Sequence, residues 1–173
     1  MPDSDPVVNR SLLAGNTCFG CGHHNHAGLK IEIFHDTRTA EVLSGRFIPT
    51  TAMTGFPGIV HGGTVFTALD CLSTWVAMLL GPNPEAAWVL RSASAVYHKP
   101  ASADEPLSLA GWIKDRGGAW DPLTVHTEAR RGDGLVCVDG DFKVVPLSAD
   151  KLADIAGLHS LPENWRAFLS RAT

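Results

Sequence analysis

Apolar and polar positions alternate or cluster along the chain in a way that predicts its elements. Residues 29–34 read Leu-Lys-Ile-Glu-Ile-Phe, a period of two that predicts a half-buried strand, and residues 39–47 continue as a second strand after a His35-Asp36-Thr37 turn. Residues 49–63 are a Pro/Gly-rich loop. Residues 64–80 then hold 17 positions of which 12 are apolar and one, Asp70, is charged. That stretch is long enough for a helix and apolar nearly all round, which predicts a central, buried helix. Gly81-Pro82-Asn83-Pro84 stops it. Four further strands are expected over 88–98, 107–114, 123–130 and 135–145, separated by Gly, Pro and Asp turn material. Two surface helices, 148–156 and 162–171, follow. The order of two strands, one buried helix and four strands predicts an α+β fold in which an antiparallel sheet wraps around one long central helix. The expected organisation is an N-terminal arm over 1–28, a main domain over 29–147 and a C-terminal helical extension over 148–173.

Composition narrows the function classes. The chain has 173 residues, 45% apolar and 18% charged, which suits one globular domain. A net charge of −4 with no basic block argues against nucleic acid as a partner. The first 15 residues carry Asp3 and Asp5 and no apolar run, so they do not read as a signal peptide; the expectation is a cytoplasmic protein. Residues 64–80 fall just short of a membrane span and contain Asp70, so a core helix is the better reading. No G-x-S-x-G, P-loop or dinucleotide fingerprint occurs.

The candidate chemistry sits where the loop meets the helix. A helix start has unpaired N–H groups and the positive end of the dipole. Gly62 and Gly63, after His61, leave that backbone open to a ligand, as an oxyanion hole requires; a plain tight turn needs glycine as well. Asp70 is an expensive group to bury unpaired and a poor helix former, so pairing, metal binding or catalysis is the expected reason for it. Gly63 and Asp70 are seven helical steps apart, about 10 Å at 1.5 Å per residue. One carbonyl cannot touch both in a single chain. If both serve one site, Asp70 comes from a second copy, with two such helices packed antiparallel about a two-fold axis.

Four cysteines are present, at positions 18, 21, 71 and 137. Cys18-x-x-Cys21 followed by His23, His24 and His26 has metal-ligand residue types on one side only, with no second cysteine pair downstream. The plainer expectation is a Gly-rich loop with small buried thiols and no metal. The five tryptophans read as core and interface residues, and His98 and His126 as structural strand histidines.

Taken together, Gly58-Ile-Val-His-Gly-Gly63, Asp70 on the following helix, and Tyr97-His98-Lys99-Pro100 closing the next strand resemble the hotdog-fold acyl-CoA thioesterases. Cys18-Phe-Gly-Cys-Gly22 with Asn25 and Gly28-Leu29 resembles the opening of their PaaI-like and THEM-like branch, and Gly140-Asp-Phe-Lys-Val fits the last strand. The resemblance covers about residues 18–145. It implies a hotdog fold, a homodimer or dimer of dimers, and hydrolysis of an acyl-coenzyme A thioester without a cofactor. It further implies that Gly63 supplies the main oxyanion N–H, that Gly62 shapes the turn, that His61 orients the loop or the thioester, and that the partner's Asp70 is base or nucleophile. Many such relatives carry an Asn six residues before the histidine, where this chain has Gly55. Some carry a Ser or Thr ten residues before the Lys-Pro proline, where this chain has Leu90; Ser92, two residues on, is expected on the same strand face as a substitute. Lys99 and Pro100 at the strand end, and Arg91, are the candidate coenzyme A contacts, since cations at a cleft rim hold phosphates. Arg130 and Arg131 read rather as solvated surface charges. A non-catalytic acyl-CoA or acyl-carrier binding module is the alternative. An enoyl-CoA hydratase fits less well, because no carboxylate lies between Phe47 and His61.

Overall fold

The computed structural model describes residues 6–171. Its elements are α1 (Val8–Leu12), β1 (Glu32–His35), β2 (Val42–Phe47), a short hairpin of β3 (Thr54–Phe56) and β4 (Ile59–Val60), α2 (Gly62–Leu80), β5 (Ala87–Tyr97), β6 (Leu107–Asp115), β7 (Leu123–Arg130), β8 (Val136–Leu147), α3 (Ala149–Ile155) and α4 (Glu163–Leu169). Six strands form one sheet in the order β1-β2-β6-β7-β8-β5, every neighbouring pair antiparallel. The sheet curls around α2, which packs against β2, β5, β6, β7 and β8.

The apolar helix behaves as its composition dictates. Ala68, Leu69, Leu72, Val76 and Ala77 are fully buried against the alternate inward residues of the strands, among them Leu109, Val125, Phe142 and Val144. By length and hydropathy alone α2 would cross a membrane; instead it is the core helix of the fold. One stripe of it is less buried: Gly63, Thr67, Asp70 and Thr74, spaced by four, three and four residues along one face.

Element boundaries differ from expectation where single residues override periodicity. β1 begins at Glu32 rather than at 29, because Lys30 sits at φ 57°, a left-handed conformation that cannot continue a strand. β2 begins at Val42, because Asp36 folds 36–39 into a turn by accepting the N–H and guanidinium of Arg38. α2 starts two residues early, at Gly62, since His61 caps it. The 49–63 loop is ordered by the β3–β4 hairpin and a 3-10 turn over Thr51–Met53.

Helices α1 and α4 fold onto the core. Asn9 of α1, fully buried, donates from Nδ2 to the carbonyls of Cys21 and Ile31 and accepts the Ile33 N–H through Oδ1. It thereby stitches the cysteine loop to edge strand β1. Phe168 of α4 meets Trp75 of α2 edge-on, with ring centroids 5.3 Å apart. Trp88 is buried like Trp75, whereas Trp120, in the β6–β7 turn, is solvent-exposed rather than packed.

Candidate active site

The His-Gly-Gly turn folds as a side-chain cap. His61 is the N-cap of α2, and its Nδ1 accepts the Gly63 N–H at 3.0 Å. The imidazole replaces the usual Ser, Thr, Asp or Asn in satisfying a first-turn donor. Gly62 carries the other first-turn N–H, which has no acceptor among the described residues. Tyr97, at the end of β5, donates from its hydroxyl to the Gly62 carbonyl at 3.2 Å. A Cβ on Gly62 would lie 2.9 Å from the Tyr97 ring, so this position requires glycine for close approach. A Cβ on Gly55 would lie 3.2 Å from the His61 ring. The residue that replaces the family asparagine therefore does border the turn, and its lack of a side chain leaves room for the imidazole.

Beside this turn lies an open cleft of about 430 Å³, lined among others by Gly55, His61, Gly62, Tyr97, Lys99 and Pro100. The structure thus brings His61, Gly62, Lys99 and Pro100 of the candidate residues together. Asp70 and Arg91 do not line it. Lys99 is exposed at the rim, which suits a contact to phosphate.

Asp70 lies two helical turns further along the same stripe of α2, partly buried. Its carboxylate has no hydrogen bond or ion pair among the described residues. The nearby hydroxyls turn to the backbone instead: Ser73 and Thr74 both donate to the Asp70 carbonyl, at 2.8 and 3.0 Å. Burial, and secondarily the negative charge of Cys18, push the Asp70 carboxyl above its ordinary pKa.

Ser92 is not where its spacing places it. A bulge at Arg91 interrupts β5, so that Leu90 pairs with Val144 and Ser92 with Lys143. Opposed residues share a face. Leu90 thus faces the core with buried Val144, while Ser92 lies with exposed Lys143 on the outer face, away from α2. Ser92 is removed from the candidate site, and Arg91 is an exposed residue on the bulge itself. Arg130 and Arg131 are engaged by Glu128 and Asp133, at 2.7 and 2.8 Å. His98 pairs with Asp139 and His126 with Asp141, each at 2.7 Å, in keeping with structural roles.

The feature that sequence reasoning missed is Cys71. Its sulfur joins those of Cys18 and Cys21 in one cluster beside Asp70, whereas His23, His24 and His26 are not part of it. His23 pairs through Nδ1 with Arg10 instead, at 2.9 Å. The helical register held the signal: Cys71 sits one turn before Trp75, on the buried side of α2.

Comparison with known proteins agrees with this architecture. The thioesterase superfamily model matches residues 57–138, from the β3–β4 turn to the start of β8. No curated protein matches the chain. Among solved structures, the Escherichia coli PaaI protein from the phenylacetic acid degradation operon is similar with a TM-score of 0.60 and 16% identity, over 69% of this chain and 81% of that one. A Streptococcus pneumoniae hypothetical thioesterase with coenzyme A gives 0.58 and 19%, over 68% and 86%. A Streptococcus mutans protein bound to acetyl CoA gives 0.56 and 18%, over 62% and 82%. At these identities the likeness is one of fold, the hotdog fold.

Proposed function

We propose an acyl-CoA thioesterase whose site is shared between two subunits, a reading supported by the match of residues 57–138 to the thioesterase superfamily model. The observation that carries the reading is Asp70: a carboxylate without a partner among the described residues, on the less buried stripe of an otherwise apolar helix. A charge that costs folding free energy and satisfies nothing within its own chain is placed for chemistry. The fold supplies its complement in the glycine turn, on the same stripe.

Two open surfaces support a homodimer. β5 is an edge strand that pairs only with β8, and from Arg91 to Tyr97 it is almost wholly exposed, including Val96 and Tyr97. An apolar edge of this kind invites strand addition. Joining two β5 edges about a two-fold axis brings the Gly63–Thr67–Asp70–Thr74 stripes of two helices face to face, antiparallel. Each Asp70 then approaches the partner's glycine turn.

In this arrangement the thioester carbonyl oxygen takes the N–H groups of Gly62 and Gly63, with the His61 ring yielding its hydrogen bond as the carbonyl arrives. Asp70 of the partner subunit either removes a proton from the attacking water or attacks the carbonyl carbon itself. The C–S bond breaks, and coenzyme A leaves as the thiolate; on the second route water then hydrolyses the acyl–aspartyl anhydride, releasing the acid and restoring the carboxylate. A carboxyl pKa raised by burial brings the base nearer to working pH. Lys99 at the cleft rim holds the phosphates of coenzyme A, the ligand class present in two structures of the same fold. The occupied Gly63 N–H also favours a second reading, a non-catalytic acyl-CoA binder in which the turn never opens. A panel of acyl-CoA chain lengths, read by release of free thiol, separates the two. Turnover that Asp70→Asn abolishes supports hydrolysis; binding without thiol release from any acyl-CoA supports the binder.

A further inference from the structure

Directly after Asp70 in α2, Cys71 meets Cys18 and Cys21 of the loop that follows α1. The three Sγ atoms lie within 4.8 Å of one another, and Cys18 and Cys71 are 3.8 Å apart. Zinc binds thiolate at about 2.3 Å, which at tetrahedral angles separates two sulfurs by about 3.8 Å. All three cysteines are free thiols. Two N–H donors face the Cys21 sulfur. The indole N–H of Trp75 donates to the Cys21 sulfur at 3.3 Å and Asn16 Nδ2 at 3.6 Å. Neutral buried thiols need no such pair of donors, whereas metal-bound sulfur keeps residual negative charge that outer N–H groups stabilise. The glycines of the loop make the convergence sterically possible: a Cβ on Gly20 would lie 2.2 Å from the Cys71 sulfur, and one on Gly22 would lie 2.4 Å from the Cys18 nitrogen.

We propose that Cys18, Cys21 and Cys71 form a site for a thiophilic divalent cation of the zinc class, which clamps the N-terminal loop onto the central helix. Three thiolates around a dication leave one net negative charge, which the Trp75 and Asn16 donors offset. A fourth ligand, water, reaches the ion through the adjoining cavity of about 230 Å³, which all three cysteines and Thr74 line. Cys18, the least buried of the three, gives the ion its entry. The clamp does not depend on the hydrolase reading.

The test uses the full chain, purified reduced and without oxygen, then dialysed against Zn²⁺ or Co²⁺. The proposal expects one ion per chain and the sulfur-to-cobalt charge-transfer band of a thiolate site. Cys18→Ser and Cys71→Ala should each lose that band, while Cys137→Ser, which is not part of the cluster, keeps it. Chelation should lower the melting temperature of the wild type and leave that of Cys18→Ser unchanged. A folded, reduced wild type that takes up no ion overturns the proposal, as does an undiminished band in Cys18→Ser, the variant that decides if Cys71→Ala fails to fold.

Discussion

The N–H of Gly63 donates to Nδ1 of His61 at 3.0 Å, so the donor that would hold a reacting carbonyl is held by the side chain two residues before it. This cap sets both the start of α2 and the shape of the turn. Losing an N-cap costs about 0.5–2 kcal/mol. His61→Ala should lower unfolding free energy by about 1 kcal/mol, and His61→Asn, a better cap, should restore it. Urea titrations of the three proteins measure this; an unchanged midpoint for His61→Ala would remove the cap from the account.

Gly63 leaves no room for a side chain without moving the imidazole, because a Cβ there would stand 3.1 Å from His61 Nδ1. Gly63→Val should therefore displace the ring and cover the N–H, lowering turnover by about 10²-fold or more, the scale of losing an oxyanion donor. Circular dichroism should show a folded protein. Full activity in this variant would reduce the turn to a structural feature.

Gly62 answers to Tyr97. A Cβ on Gly62 would stand 2.9 Å from the ring, so Gly62→Ala should destabilise the fold, and adding Tyr97→Ala should recover part of the loss. A double-mutant cycle in urea reads this coupling directly. Strictly additive losses would show that the ring moves aside freely.

Asp70→Asn should separate function from stability. Turnover should fall by about 10²-fold or more, as for loss of a base or nucleophile. Stability at neutral pH should hold or rise. Burial raises the carboxyl pKa, so the charged form carries a cost that sets in as pH climbs from the unfolded value through the folded one and persists above it. Asn removes that cost. A variant less stable at pH 7 but equal in activity would make Asp70 a structural group.

The layout of the fold was legible because its main elements are long and locally consistent. α2 could be read from its run of apolar residues, and β5 to β8 from β-rich segments punctuated by Gly, Pro and Asp. What escaped the pattern were features decided by single residues in three dimensions. The left-handed Lys30 shortens β1, and the His61 ring, acting as a cap, starts α2 early. The bulge at Arg91 reverses the face of Ser92, which period-two counting cannot detect. Likewise, Cys71 stands 50 residues beyond Cys21 in sequence, and only the docking of the N-terminal loop on α2 joins them.

The central claim is that one carbonyl is served by Gly63 of one chain and Asp70 of another. Mixing an Asp70→Asn chain with a Gly63→Val chain, with subunit exchange verified by native mass spectrometry, tests it most directly. Each mutant homodimer has two damaged sites. A mixed dimer gathers both lesions into one site and leaves the other intact. The account predicts that thioester hydrolysis reappears on mixing, up to about half of wild-type turnover per mixed dimer. Exchange without any recovery of activity would contradict it, because the two residues would then not serve the same carbonyl across the interface.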